Sequence, residues 1–170
     1  MTQLSSEEID DVLYDSRSGD LETVKEFFNS KGPAVLSQIK DEYSESTPIH
    51  MASANGHIAV LQYLLQIARD SGNKEIINAL NDSGNTALHW ASVNGHLETV
   101  KLLCDEGADP FLKNKSGQDS FYTAEVNGKE EVIDYLLGKY SVEPVEEDEL
   151  DVVDEATSEN DNNPEQMDQD

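Results

Sequence analysis

The chain has few of the features that would point to a secreted, membrane-bound or disulfide-stapled protein. It contains one cysteine, Cys104, so no internal disulfide is available, and its place in an apolar helical pattern favours a buried packing thiol. The first residues have neither a basic start nor an apolar run, and no stretch reaches the length of a membrane span. We therefore expect a protein of the cytoplasm and nucleus with no membrane contact.

Positive charge is also scarce. The 170 residues include 11 Lys and Arg against 36 Asp and Glu, which gives a formal net charge of −25. Direct binding to DNA or RNA is disfavoured because phosphate contacts supply much of nucleic-acid affinity. Such a field instead attracts clusters of Lys and Arg on a partner protein.

The charge is concentrated in the last thirty residues. Residues 141–170 hold 13 acids and no Lys or Arg, while residues 1–140 hold 23 acids against 11 bases, a net −12. We predict a folded domain over residues 1–140 and a disordered tail over 141–170, because the tail has too little apolar surface to offset its ordering entropy. The tail either keeps the protein soluble or covers a basic partner, and its most acidic part comprises Glu146, Glu147, Asp148, Glu149 and Asp151.

Catalytic and metal-binding patterns are missing as well. The sequence has no Gly-rich phosphate loop after a strand and no Gly-x-Ser-x-Gly elbow. The four histidines fall at two equivalent places in two repeats, which favours a structural role over a zinc site: His50, His57, His89 and His96. We predict no enzyme activity, no metal and no cofactor.

The chain does contain one sequence segment that occurs twice with small changes. Residues 47–57 read TPIHMASANGH and residues 86–96 read TALHWASVNGH. The turn glycine of this phrase recurs with spacings of 37, 39 and 33 residues, at Gly19, Gly56, Gly95 and Gly128. Apolar residues at helical spacing follow each glycine, and a shorter helical pattern begun by Thr or Asp precedes it. The pattern predicts an all-α chain of four helix-turn-helix units.

A period near 33 with Thr-Pro-Leu-His-like starts and an Asn-Gly-His turn resembles the ankyrin repeat. Residues 84–117 fit the complete pattern, including Gly-Ala-Asp-Pro at 107–110. The resemblance implies a solenoid with hairpin fingers between units, whose divergent outer units serve as caps. The surplus residues fall within 30–46 and 66–83, where we expect them to lengthen loops and fingers.

Several segments narrow the resemblance: residues 84–92, 100–106, 108–111, 128–132 and the start at 13–20. They are similar to a group of small fungal ankyrin-repeat proteins that are dedicated chaperones of protein S3 of the small ribosomal subunit. The resemblance implies a protein that escorts a newly made basic ribosomal protein and prevents its aggregation and nonspecific RNA contacts, and we expect it to act as a monomer. The alternative is a generic ankyrin-repeat adaptor in signalling or transcription.

Ankyrin solenoids bind partners through the concave face of their first helices and fingers, and the repeat register predicts which residues lie there. On the helices these are Met51, Ala54, Asn55, Trp90, Val93, Asn94, Thr123, Val126 and Asn127. In the fingers they are Tyr43, Ser44, Ser46, Asp82, Ser83, Asn85, Lys115, Ser116 and Gln118. Trp90 is the strongest candidate, because aromatic anchors dominate many interfaces, although its ring would alternatively pack between repeats.

Overall fold

The computed structural model of the chain describes residues 3–141 and contains eight α-helices in that range, with no β-strand. They are α1 (Ser6–Ser18), α2 (Leu21–Lys31), α3 (Pro48–Ala54), α4 (Ile58–Asp70), α5 (Ala87–Asn94), α6 (Leu97–Asp105), α7 (Ser120–Val126) and α8 (Glu130–Tyr140). Each successive pair forms one helix-turn-helix unit. The predicted all-α solenoid of four units is confirmed.

The helices form two layers. The first helices of the units, α1, α3, α5 and α7, pack side by side, and the second helices, α2, α4, α6 and α8, pack behind them. Each second helix buries one apolar stripe against this first layer, as an amphipathic surface helix should. The largest fully buried side chains include Ile49, Leu61, Leu64, Leu88 and Leu103, so one continuous core runs through the stack.

The turn between the two helices of a unit explains the repeated Asn-Gly-His. Gly56 has a φ of 70°, in the left-handed region that favours glycine. A Cβ atom added there would lie 2.8 Å from Nδ1 of His96 in the next unit. Glycine is therefore required both by the backbone conformation and by the close approach of the following repeat.

The two insertions differ from expectation. Both contain a 3-10 helix, Pro33–Gln38 in the first and Lys74–Asn78 in the second, and the second insertion also extends α4 to 13 residues against 9 in α6. The insertions lengthen the connections after the second helices and leave the helix stack unbroken, as expected, but their 3-10 helices were not predicted. The insertions carry apolar side chains that become buried in the core: Val35, Leu36, Ile39, Ile76 and Ile77.

The last unit ends in an aromatic cluster. The rings of Phe111 and Phe121 stack with centroids 5.4 Å apart, and Tyr140, the final residue of α8, meets the Phe111 ring edge-on at 5.8 Å. Phe111 is 57% exposed, which suits an end unit without a neighbour. The proposed division at residue 140 remains a prediction, because the tail lies outside the described residues.

Candidate functional site

Three stacked fingers form one wall of the candidate site, at residues 41–46, 81–85 and 114–118. Each finger is closed at its base by a backbone hydrogen bond: Asp41 N to Ser46 O at 2.9 Å, Asn81 N to Asn85 O at 3.0 Å, and Asn114 N to Gln118 O at 2.9 Å. Neighbouring fingers are joined by Asp82 N to Ser44 O at 2.9 Å and Lys115 N to Ser83 O at 3.0 Å. The fingers therefore form a continuous backbone ladder beside the first helices.

Side-chain carboxyl and amide oxygens shape the finger turns. The Oδ1 atom of Asn81 accepts hydrogen bonds from the backbone N–H groups of Ser83 at 3.1 Å and Asn85 at 2.9 Å. In the first finger, the backbone N–H and hydroxyl of Ser44 donate to Asp41, which holds the pKa of that carboxyl below its usual range. Asx turns of this kind fix the backbone locally, so the fingers present their tips in a set position.

His50 connects helix α3 to the next finger. The Thr47 backbone N–H donates to Nδ1 of His50 at 3.1 Å, so the ring hydrogen lies on Nε2, which donates to the Asn85 carbonyl at 3.0 Å. Burial lowers the pKa of His50, because the charged ring would lose its hydration. The neutral ring thus holds the start of α3 and the base of the second finger together.

His89 repeats this arrangement one unit later. Its Nδ1 accepts from the Thr86 N–H at 3.0 Å, its Nε2 donates to Gln118 O at 2.9 Å, and burial lowers its pKa. The other two histidines donate to the preceding unit: His57 Nε2 to Arg17 O at 2.8 Å and His96 Nε2 to Ala54 O at 3.0 Å. The predicted structural role of all four histidines is confirmed.

A groove of about 430 Å³ lies between the first helices and the finger tips, and nine of the eighteen predicted concave-face residues line it. These are Met51, Ala54, Asn55, Trp90 and Asn94 on the helices and Ser44, Ser46, Asp82 and Ser83 in the fingers. The remaining residues that line it are Arg17, His50 and Asn81. We call this space the groove. It combines apolar, amide and charged side chains, which suits the surface of a protein partner.

Trp90 and Met51 supply the largest apolar surfaces of the groove. Both side chains are half-buried, so each packs partly against the helix layer and keeps part of its surface accessible. The indole N–H of Trp90 makes no hydrogen bond within residues 3–141 and remains available as a donor. The two proposed roles of Trp90, packing and binding, are therefore compatible.

Three of the four predicted asparagines, Asn55, Asn94 and Asn127, also hold the helices. Their side-chain amides donate to backbone carbonyls: Asn55 to Met51 at 3.0 Å, Asn94 to Ala54 at 2.8 Å, and Asn127 to Thr123 at 2.7 Å. The bond from Asn94 crosses to the preceding unit and joins α5 to α3. Their amide oxygens accept no hydrogen bond within residues 3–141, so they can still receive one from a partner.

The other nine predicted residues lie outside the groove: Tyr43, Asn85, Val93, Lys115, Ser116, Gln118, Thr123, Val126 and Asn127. The amide oxygen of Asn85 accepts from Asn114 at 2.8 Å, which places this side chain between two fingers. Val93, Val126 and Asn127 belong to α5, α7 and the end of α7, and Val126 is 56% exposed. Their part in binding stays a prediction.

Two residues that the register placed on the outer surface are buried, so their expected exposure was wrong. Ser46 is 6% exposed because it lies at the base of its finger, directly before the helix cap Thr47. Thr123 is 4% exposed, and its hydroxyl donates to Ser120 O at 3.1 Å.

The sequence reasoning missed two residues of the first unit. Arg17 lines the groove, and Tyr14 on the same helix is 70% exposed. Arg17 lies two residues before Gly19, which is the position that Ala54 has before Gly56. Tyr14 lies five residues before Gly19, which is the position that Met51 has before Gly56. Counting back from the turn glycine would have found both.

The described ion pairs lie away from the groove. They join Lys25 to Glu22, Lys31 to Glu8, Arg69 to Glu106, Lys101 to Glu98, and Lys139 to Asp105.

Within residues 3–141, no group of three or more His, Cys, Asp or Glu side chains is placed to hold a metal ion. None of the helices in that range has the length and apolarity to cross a membrane. The acidic tail residues Glu146, Glu147, Asp148, Glu149 and Asp151 lie outside the described residues.

Comparison with known proteins defines the class. The family model for ankyrin repeats in three copies matches residues 13–114 and 78–148. The chain therefore belongs to the ankyrin-repeat family.

Two fungal relatives extend this likeness over most of the chain. Ankyrin repeat-containing protein YAR1 of Saccharomyces cerevisiae is 48% identical over 152 residues, which cover 86% of this chain and 76% of that protein. Ankyrin repeat-containing protein P16F5.05c of Schizosaccharomyces pombe is 44% identical over 130 residues, covering 76% of this chain and 84% of that one.

A solved structure agrees with the sequence comparison. The crystal structure of the yeast ribosomal protein Rps3 in complex with its chaperone Yar1 contains a chain that matches with a TM-score of 0.80 and 48% identity. The match covers 84% of this chain and 99% of the other. The helical stack is thus similar to one that has been solved together with a ribosomal protein.

Proposed function

We propose that this chain is a chaperone and escort of newly made ribosomal protein S3 and supports assembly of the small ribosomal subunit in the cytoplasm and nucleus. The observation that carries the proposal is the 48% identity and TM-score of 0.80 to a chain from the solved complex of Rps3 with its chaperone Yar1. The chain acts as a monomer without a cofactor, and its function is binding rather than catalysis.

The groove holds an amphipathic helix of the client. Apolar side chains of that helix pack on Met51 and Trp90, while Asn55 and Asn94 offer amide oxygens at the edge. The pre-formed walls of the groove support this role, because the four structural histidines and the finger ladder fix them before a client binds. Pre-formed walls reduce the entropy lost on association.

The acidic surface covers Lys and Arg clusters that the client otherwise presents to RNA. Residues 1–140 carry a net −12, from 23 acids against 11 bases, and the tail over 141–170 adds 13 acids. A polyanion attracts such clusters by the same field as phosphate and therefore competes with nonspecific RNA contacts. Release then follows from competition for the client by the assembling particle or by another factor.

The strong acidity favours this function over a generic adaptor in signalling or transcription. An adaptor needs the same helical scaffold but has no general need for a net charge of −25. Both fungal relatives also match over at least three quarters of this chain, rather than over a few repeats.

A pull-down from yeast cytosol with the tagged full chain tests the proposal. We expect mass spectrometry to find Rps3 in excess over other small-subunit proteins. An unrelated acidic protein of similar net charge is the control bait and should capture many basic proteins without preference. Recovery of whole subunits would indicate a ribosome-bound factor, and recovery of signalling proteins without Rps3 would favour the adaptor.

A further inference from the structure

Arg17 has the opposite charge to most of the surface around it. It is the only Lys or Arg among the described residues that line the groove. Its helix, α1, also carries five acids, and residues 1–140 have a net charge of −12 from 23 acids against 11 bases. A surface whose task is only to attract a basic protein gains nothing from a cation in its binding groove.

The position of Arg17 is fixed by the fold. Its backbone carbonyl accepts the hydrogen bond from His57 Nε2 at 2.8 Å. Helix α1 ends one residue later, at Ser18, and Gly19 then adopts the left-handed conformation with a φ of 83°. The backbone that carries the guanidinium is therefore held against the second unit.

The guanidinium itself makes no ion pair within residues 3–141, although α1 contains Asp10, Asp11 and Asp15. Five other cations of the described chain do pair with acids, including Lys31 with Glu8 of this same helix. Arg17 is exposed and its planar donors suit a carboxylate.

The groove also contains an acid on its finger side. Asp82 is exposed at the tip of the second finger, and its backbone N–H is held by Ser44 O at 2.9 Å. The groove therefore offers a cation from the helix layer and an anion from the finger layer, with the apolar surfaces of Met51 and Trp90 in the same space.

We propose that Arg17 binds a carboxylate of the client helix while Asp82 binds a Lys or Arg of the same helix, so that the pair selects the direction and register of the bound segment. This inference rests on the proposed function and makes it more specific. The groove then prefers a helix that carries an acid and a base on one face, beside its apolar residues, over a helix that is only basic. Opposite charges placed at fixed points discriminate between partners more than they add affinity.

Charge reversal at Arg17 tests the inference by whether the affinity for Rps3 falls or rises. The variants R17E, R17Q and K74E are prepared in the full chain, and the Kd for purified yeast Rps3 is measured by fluorescence anisotropy. If Arg17 binds a client carboxylate, R17E weakens binding by at least about tenfold and R17Q by less, because like charges in an interface are strongly unfavourable. Lys74 is an exposed cation on the second 3-10 helix, so K74E makes the same charge change outside the groove and should leave the Kd equal or slightly lower.

Each contrary result has a distinct meaning. R17E binding that equals or exceeds wild-type binding would overturn the inference, because it is the result expected if the groove attracts the client only by negative charge or if the acidic tail of this chain occupies Arg17. Circular dichroism and thermal unfolding of R17E show whether the variant is folded, and R17Q serves if it is not. Absence of Rps3 binding by the wild-type chain would contradict the proposed function instead.

Discussion

The second and third units of the solenoid share their internal hydrogen bonds but present different side chains to the groove. In both, a Thr backbone N–H donates to a buried histidine, at 3.1 Å for His50 and 3.0 Å for His89, and the far ring nitrogen donates to the base of the next finger. The same position of the helix then carries Met51 in one unit and Trp90 in the other.

This difference separates scaffold from function. The residues that recur hold one unit to the next. They are the cap threonine, the histidines and the turn glycine. The residues that vary keep accessible surface: Met51, Ala54 and Trp90 line the groove, and Val93 is half-buried outside it. Substitution of a recurring residue should therefore change stability, and substitution of a variable one should change binding.

The largest effect is expected from removal of a recurring histidine. The change His89→Ala removes the ring that joins Thr86 N–H to Gln118 O and leaves both groups without this partner. We expect a loss of about 3 kcal/mol in the free energy of unfolding, because each buried polar group left unsatisfied costs roughly 1–3 kcal/mol. Urea unfolding followed by circular dichroism measures it. The control Asn55→Ala removes one exposed local bond and should cost far less; equal losses in the two variants would contradict the distinction.

The next effect is expected at a turn glycine. The change Gly56→Ala places a methyl group 2.8 Å from His96 Nδ1 on a backbone with φ 70°. We expect a loss of about 2 kcal/mol, since left-handed conformation alone costs a side chain roughly 1–2 kcal/mol. Gly138 lies inside α8 with nothing within 4 Å of an added Cβ, so the control Gly138→Ala should stabilise by about 0.5–1 kcal/mol. A stabilising Gly56→Ala would show that this turn has been misinterpreted.

Substitution at the variable helix position should change the affinity for the client rather than the stability. We expect Trp90→Ala to weaken yeast Rps3 binding by more than about tenfold, or ~1.4 kcal/mol, because a large aromatic anchor in a groove contributes strongly. Met51→Ala, at the same position of the preceding unit, should cost less than about 1 kcal/mol, as most interface residues do. Isothermal titration calorimetry measures both. Unchanged affinity with reduced stability for Trp90→Ala would mean that the ring serves packing alone.

The buried histidines predict a mild pH dependence of stability. Burial lowers the pKa of His50 and of His89 below the ordinary value of 6.5, so the unfolded chain takes up protons first as the pH falls. Their contribution to the free energy of unfolding is complete above pH ~6.5 and decreases below it. Histidine ring NMR titration together with urea unfolding at several pH values checks this. Ring pKa values above 6.5 would contradict the assigned neutral state.

The sequence predicted the scaffold well because its signals are local. A turn glycine, a cap threonine and helical spacing of apolar residues act within a few positions, and all four helix pairs follow from them. The insertions were not predicted in detail, because the 3-10 helix around Val35 and Leu36 forms where those side chains become buried beside α2 and α4. A short apolar run in an insertion does not reveal what will cover it.

Membership of the groove was predicted only in part, because it depends on how each helix is rotated against its neighbours. Nine of the eighteen predicted residues line it, whereas Asn85 lies between fingers and Val93 lies outside the groove. Thr123 turned inward although its register equals that of Trp90. Arg17 was missed since the first unit lacks the repeated phrase, although its distance from Gly19 indicated the position.

The most direct test of the account measures aggregation of purified yeast Rps3 by light scattering at near-physiological salt, with and without the full chain. We predict that an equimolar amount of the chain suppresses scattering, that Trp90→Ala suppresses it less, and that protection weakens as salt screens exposed charges over distances of ~8–10 Å. An unrelated acidic protein of similar net charge is the control. Equal protection by that control, or no protection by the chain, would contradict the claim that this solenoid is a specific chaperone.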